Sequence, residues 1–157
     1  MSEPIKFPKR PVLARVTLFG GKRVTGEFFA EQATPTHDSP ETLPELLNHE
    51  GRAFVPFHTG QDLLLLHRRS IRLVEFDSPE LQELFKKPGK DLHEIKIVLR
   101  AELNELSLQG LCYTGDLHPE TRRPVDLLNH ADPFLLFYST GSLMLINKNS
   151  ISHAAVV

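Results

Sequence analysis

Hydrophobic and polar residues alternate over Ala14, Val16 and Leu18, and again over Ile95, Ile97 and Leu99, which is the period of a strand with one buried face. Each run leads into a second one, Val24, Gly26 and Phe28 in the first half and Leu108, Gly110 and Cys112 in the second. A glycine at the same inward position of both strands predicts a sharp bend or a close approach of two backbones. The likeness continues downstream. Glu45-Leu46-Leu47-Asn48-His49 returns as Asp126-Leu127-Leu128-Asn129-His130, and Phe54-Val55-Pro56-Phe57 as Phe134-Leu135-Leu136-Phe137. Thr59-Gly60 matches Thr140-Gly141, and Leu66 to Ile71 matches Ile146 to Ile151. Order and approximate spacing are kept throughout, which predicts two copies of one small β-rich unit.

Each copy reads as strand, hairpin, strand, long polar loop, short helical turn, strand, hairpin, strand. Gly20-Gly21-Lys22 supplies the first hairpin. Thr42-Leu43-Pro44 opens a helical turn that ends near Asn48, and Arg123-Pro124-Val125 opens its counterpart, with proline where a missing N–H costs little. Pro56 inside a strand pattern predicts an edge or a bulge there. Between the copies, residues 77–89 carry capping side chains, a proline and a glutamate, then an apolar stripe at Leu81, Leu84 and Phe85, lysines, and a Pro-Gly stop. The expected organisation is a first unit over 1–76, a helical connector over 77–90 and a second unit over 91–157.

Composition narrows the function classes. A chain of 157 residues with 40% hydrophobic and 24% charged residues suits one medium domain or two small ones. The longest apolar runs, Leu63 to Leu66 and Phe134 to Tyr138, are far below the roughly 18 residues of a bilayer span. The start, Met1 to Pro8, lacks the apolar core of a secretory signal, so a cytoplasmic protein without membrane attachment is expected. Cys112 is the single cysteine, which excludes an intrachain disulfide and multi-cysteine metal sites, and its place in the strand pattern predicts a buried core position. A net charge of −2, with neither half basic, gives no overall pull toward nucleic acid.

Candidate chemistry is sparse. Among the eight histidines, His49, His58 and His67 come from three segments and lack the spacing of a zinc site. There is no Gly-x-Ser-x-Gly elbow, and Gly20-Gly21 lies in a hairpin, so it makes neither a phosphate loop nor a dinucleotide fingerprint. The expectation is a protein without catalytic residues, metal or cofactor. One constellation remains: His67-Arg68-Arg69 and the aligned Asn147-Lys148-Asn149 follow apolar strands at matching points. These six residues are the candidate contacts for a partner or a nucleic acid, set against the plainer reading of solvated turns that keep a strand edge soluble.

Val16-Thr17-Leu18-Phe19-Gly20-Gly21-Lys22-Arg23-Val24-Thr25-Gly26 resembles the first half of the Sm-like small β-barrel, the fold of Hfq and the Sm proteins. Leu63 to Ile71 and Leu143 to Ile151 resemble its closing half. The resemblance covers about two thirds of each copy, and a similar Leu-Leu-Asn, Phe and Asn-Lys-x-x-Ile series occurs in small bacterial proteins with one or two such units. It implies a mainly β fold of two tandem five-stranded SH3/Sm-like barrels, each with a short helical insertion, joined by a short α-helix. It also implies RNA as a partner, although a long insertion stands where that family holds a base. Three functions follow as expectations. The first is a non-enzymatic module that binds a protein partner or itself, using exposed strand edges such as Phe134 to Tyr138. The second is an Sm-like RNA or single-strand binder, and the third a small-molecule sensor with a ligand between the units.

Overall fold

Ten strands and three short helices form in the computed structural model, which describes residues 9–31, 40–87, 89–100 and 105–157. The stretch from Met1 to Pro8, part of the first long polar loop and Pro88 of the helix stop lie outside the described residues. Strands β1 (Lys9–Leu18), β2 (Arg23–Glu31), β3 (Phe54–His58), β4 (Leu63–His67) and β5 (Ile71–Phe76) belong to the first half. Strands β6 (Leu92–Leu99), β7 (Leu106–Tyr113), β8 (Phe134–Ser139), β9 (Ser142–Asn147) and β10 (Ile151–Val156) belong to the second. All ten join one open antiparallel sheet in the order β10-β6-β7-β8-β9-β5-β1-β2-β3-β4. Each half contributes the same internal order, and β5 meets β9 between them. The protein is therefore mainly β, as its alternation predicts, in a single sheet that does not close.

Local chemistry explains where the elements begin. Helix α1 (Leu43–Asn48) is capped by Thr42, whose hydroxyl accepts from the Glu45 N–H, with proline in its first turn. In α3 (Pro124–Asn129) the Arg123 N–H is held by the Asp126 carboxylate, which also pairs with the Arg123 guanidinium at 2.8 Å. The connector forms α2 (Pro79–Lys86) behind the capping hydroxyl of Ser78. Its Phe85 is buried and stacks on Tyr138 with centroids 5.3 Å apart. The stripe expected at Leu81, Leu84 and Phe85 thus packs against the sheet.

Two core clusters share the sheet. The first gathers Ala14, Val16, Phe28, Leu46, Val55, Phe57, Val74 and Phe76, together with Phe134, Leu143 and Leu145 from the second half. The second gathers Ile95, Ile97, Leu99, Cys112, Leu135, Phe137, Met144 and Ile146, together with Leu73 from the first half. The β8–β9 hairpin is consequently buried on both faces, one toward each cluster. Cys112 lies opposite Phe137, where the first half sets Phe28 against Phe57. Burial pushes its thiol up to about 11, so the residue behaves as a small hydrophobe.

Two strand expectations need correction. Phe134 to Tyr138 is not an exposed edge, because β8 lies between β7 and β9 and Phe134, Leu135 and Phe137 are buried. The strand holding Pro56 is not an edge either, since β3 pairs with both β2 and β4. Its pairing with β2 is confined to Phe57 and His58, so Pro56 sits where β3 has β4 as its only neighbour and an absent N–H leaves no ladder bond unmade.

The inward glycines do bring backbones together. A Cβ on Gly26 would lie 2.2 Å from the His58 carbonyl oxygen, and one on Gly110 would lie 2.3 Å from that of Tyr138. Each glycine lets β2 or β7 cross closely over the end of β3 or β8, beside the turn of the next hairpin. Gly26→Ala and Gly110→Ala should each destabilise the fold by about 1 to 3 kcal/mol through forced backbone displacement. Chemical denaturation checks this, and an unchanged midpoint in either variant would refute the close crossing.

Candidate functional site

The six candidate contact residues occupy matching places, since His67 and Asn147 end β4 and β9, and each is followed by a 3-10 turn, Arg68–Ser70 or Lys148–Ser150. Their side chains have diverse tasks. A short helix leaves its last carbonyls without intrahelical partners, and a cation can satisfy them. Arg68 does so for α1, donating to the Leu47 and His49 carbonyls. Lys148 does the same for α3, donating to Leu127 at 2.8 Å and His130 at 2.9 Å. Burial pushes the Lys148 ammonium below the usual lysine range, partly offset by the Asp132 carboxylate.

Asn147 is buried, and its side chain is fully engaged. Its Nδ2 donates to the Ile71 carbonyl at 2.9 Å across the β5–β9 seam, while its Oδ1 accepts from the Asn149 N–H. His67 plays the second part in the first half, with Nδ1 accepting from the Arg69 N–H at 3.1 Å. Arg69 and Asn149 are exposed. The two turns still converge. Arg68, Arg69, Asn147 and Asn149 line one hollow of about 330 Å³, alongside Glu50 and Phe134, whereas His67 and Lys148 do not line it.

Histidine carries a role that spacing rules for metals do not reveal. His49, His58, His67, His118 and His130 each accept, through Nδ1, the N–H two residues on. This is the local turn bond usually made by Asn or Asp. Among the described residues, no cluster of three or more His, Cys, Asp or Glu is placed to hold a metal ion. A cleft of about 550 Å³ runs between the halves, lined by α1, α2 and α3 residues including Asn48, Leu81, Leu127 and His130. Asn48 closes one side of it, its Oδ1 accepting from the Phe134 N–H at 2.9 Å and its Nδ2 donating to the Phe134 carbonyl at 3.5 Å.

The largest feature beyond those six residues is at the sheet ends. Among the described residues, β4 and β10 are the open edges. On β3 and β4 the outward face presents Phe54 at 56%, Leu63 at 62% and Leu65 at 65% exposure, and β10 presents Val156 at 70%. The aligned positions on β8 and β9 are buried: Phe134 is 3% exposed, and Leu143 and Leu145 are fully covered. The signal lay in the sequence, because Leu63 to Leu66 is apolar on both faces of its strand. A run of that kind belongs to a strand covered on both sides.

Lys148→Met keeps the stem but leaves the Leu127 and His130 carbonyls without their donor, and should cost about 1 to 3 kcal/mol in denaturant unfolding. Arg69→Ala, at an exposed position, should stay within about 0.5 kcal/mol of wild type. Equal effects in the two variants would refute the capping role. Comparison with known families, curated proteins and solved structures yields no significant match.

Proposed function

We propose that the chain is a non-enzymatic interaction or self-assembly module, made of two copies of one five-stranded, barrel-like unit, whose open edges take up a partner strand. The observation that carries this reading is the apolar outward face of β4, with Leu63 and Leu65 exposed beside a row of unpaired backbone groups. Solvated edges are normally protected by lysine, by proline or by shortness, and the β4 edge shows leucine. Main-chain bonds from an added strand supply affinity, and the leucines supply the desolvated surface. No helix is long and apolar enough to cross a membrane among the described residues.

The test uses Leu63→Lys combined with Leu65→Lys, which changes only outward positions. In a native extract the wild-type chain should run in a complex larger than its own 17.8 kDa. The double variant should run at the monomer mass while keeping its circular dichroism spectrum and unfolding midpoint. A wild-type chain at monomer mass in both extract and purified form removes the reading.

One observation favours a second reading, Sm-like binding of RNA or another single strand. The hollow between the two turns is lined by Arg68, Arg69, Asn147 and Asn149, and the exposed Arg69 and Asn149 are the donors in it suited to a phosphate or a base edge. Under this reading the protein purified at low salt carries nucleic acid that is released by nuclease or high salt. Arg69→Ala with Asn149→Ala should then abolish retention without unfolding, since both side chains are exposed. A 260-to-280 nm absorbance ratio of clean protein at low salt counts against it.

A further inference from the structure

We propose that a second copy of this chain is the partner of the open edges, with β10 of one copy pairing antiparallel to β4 of the next. The inference rests on the interaction-module reading and adds to it the partner, the register and the side chains involved. Its basis is a contact already made inside one chain. The seam pairs Leu73 with Ile146, Val74 with Leu145, Glu75 with Met144 and Phe76 with Leu143. The aligned strands that would repeat it, β10 for β5 and β4 for β9, are the two that have no neighbour on one side among the described residues.

The correspondence holds at each level. The β3–β4 and β8–β9 hairpins share one register, Phe54 opposite His67 and Leu63 opposite His58 in the first, Phe134 opposite Asn147 and Leu143 opposite Tyr138 in the second. In the second hairpin Phe134, Leu143 and Leu145 are sealed into the core of the first half. In the first hairpin Phe54, Leu63 and Leu65 face solvent. On the other edge, Val74 and Phe76 of β5 are buried in the seam, and Ala154 and Val156 of β10 are exposed. β5 and β10 each follow a 3-10 turn and pair with the first strand of their own half, with a register shift near the turn.

Polar groups match as well. Asn48 of α1 clasps the Phe134 backbone across the seam through both its amide atoms. Its aligned residue Asn129 is exposed on α3, and so is Phe54, the counterpart of Phe134. Asn147 reaches the Ile71 carbonyl across the seam. Its counterpart His67 accepts the Arg69 N–H at Nδ1, so its Nε2–H is the donor that the proposed contact would offer to the Ile151 carbonyl of a neighbouring copy. Carrying the seam register over places His153 opposite Leu66, Ala154 opposite Leu65, Ala155 opposite Leu64 and Val156 opposite Leu63 of the adjoining copy. Such a contact joins two different surfaces, so it propagates head to tail until a ring closes or a filament grows.

Light scattering of the purified chain over a range of concentrations tests this. Wild type should show masses that are multiples of 17.8 kDa. Leu63→Lys with Leu65→Lys blocks one edge, and Ala154→Lys with Val156→Lys blocks the other. Each variant alone should be monomeric, and an equimolar mixture should give a two-copy complex that grows no further, because it holds one intact β4 and one intact β10. Asn129→Ala should weaken wild-type association about tenfold with no change in unfolding midpoint, which keeps the test decisive if an edge variant folds poorly. Self-association of the Ala154 and Val156 variant would show β4 pairing with itself and overturn the head-to-tail contact. A purified monomer at every concentration, alongside a persistent complex in extract, would overturn the second copy as partner while leaving the module reading intact. Monomers in both would remove both.

Discussion

The pairing of β5 with β9 turns two five-stranded sets into one sheet, and the burial of the β8–β9 hairpin follows from it. Phe134, Leu143 and Leu145 enter the core of the first half while Leu135, Phe137, Met144 and Ile146 fill that of the second. A fully buried side chain of this size contributes about 1.5 to 3 kcal/mol relative to exposure, so three of them make the seam a major source of stability. The polar groups caught there are satisfied: Asn147 holds the Ile71 carbonyl, and Asn48 holds both backbone groups of Phe134. Opening the seam would strand those groups and uncover the leucines together.

The same accounting explains what the polar residues near the turns do. Helices of six residues have few internal bonds, and the chain supplies the missing partners from the strand-to-strand turns. Arg68 and Lys148 reach back to the carbonyl ends of α1 and α3, tying each helix to the hairpin beside it. Five histidines hold local turns through Nδ1. Residue types that suggest binding or metal chemistry are thus used largely to satisfy backbone, and Arg69 and Asn149 remain the most available members of the candidate set.

How much of this was legible depends on whether the cause was local. Alternation along Ala14 to Leu18 and Ile95 to Leu99 reports one buried face, and the structure buries Ala14, Val16, Ile95, Ile97 and Leu99. The inward position of Gly26 and Gly110 is a local signal with a local cause, the carbonyl oxygen within 2.3 Å of where each Cβ would stand. The proline-led helical turns and the α2 stripe were readable for the same reason. The meeting of β5 and β9 was not, because periodicity states that a face is buried and not which strand covers it. Phe134 to Tyr138 consequently read as an exposed edge, although its continuous apolar character belongs to burial on both faces. The direction of Arg68 and Lys148 was hidden too: a cation after a strand reads as solvated unless the helix carbonyls it reaches are known.

The two ends of the sheet are not equal copies of the seam, and the difference bears on how firmly they can hold a partner. Val74 and Phe76 face Leu145 and Leu143 within the chain, whereas Ala154 and Val156 stand at the corresponding places of β10. Replacing Val by Ala and Phe by Val removes several carbon atoms from the contact, each buried CH2 being worth about 0.8 kcal/mol. The inner seam is also unimolecular, since α2 ties the two halves and holds them at high effective concentration. A contact between chains has neither advantage. It also meets the entropic cost of association, so the same geometry that is permanent within one chain becomes reversible and concentration-dependent between two.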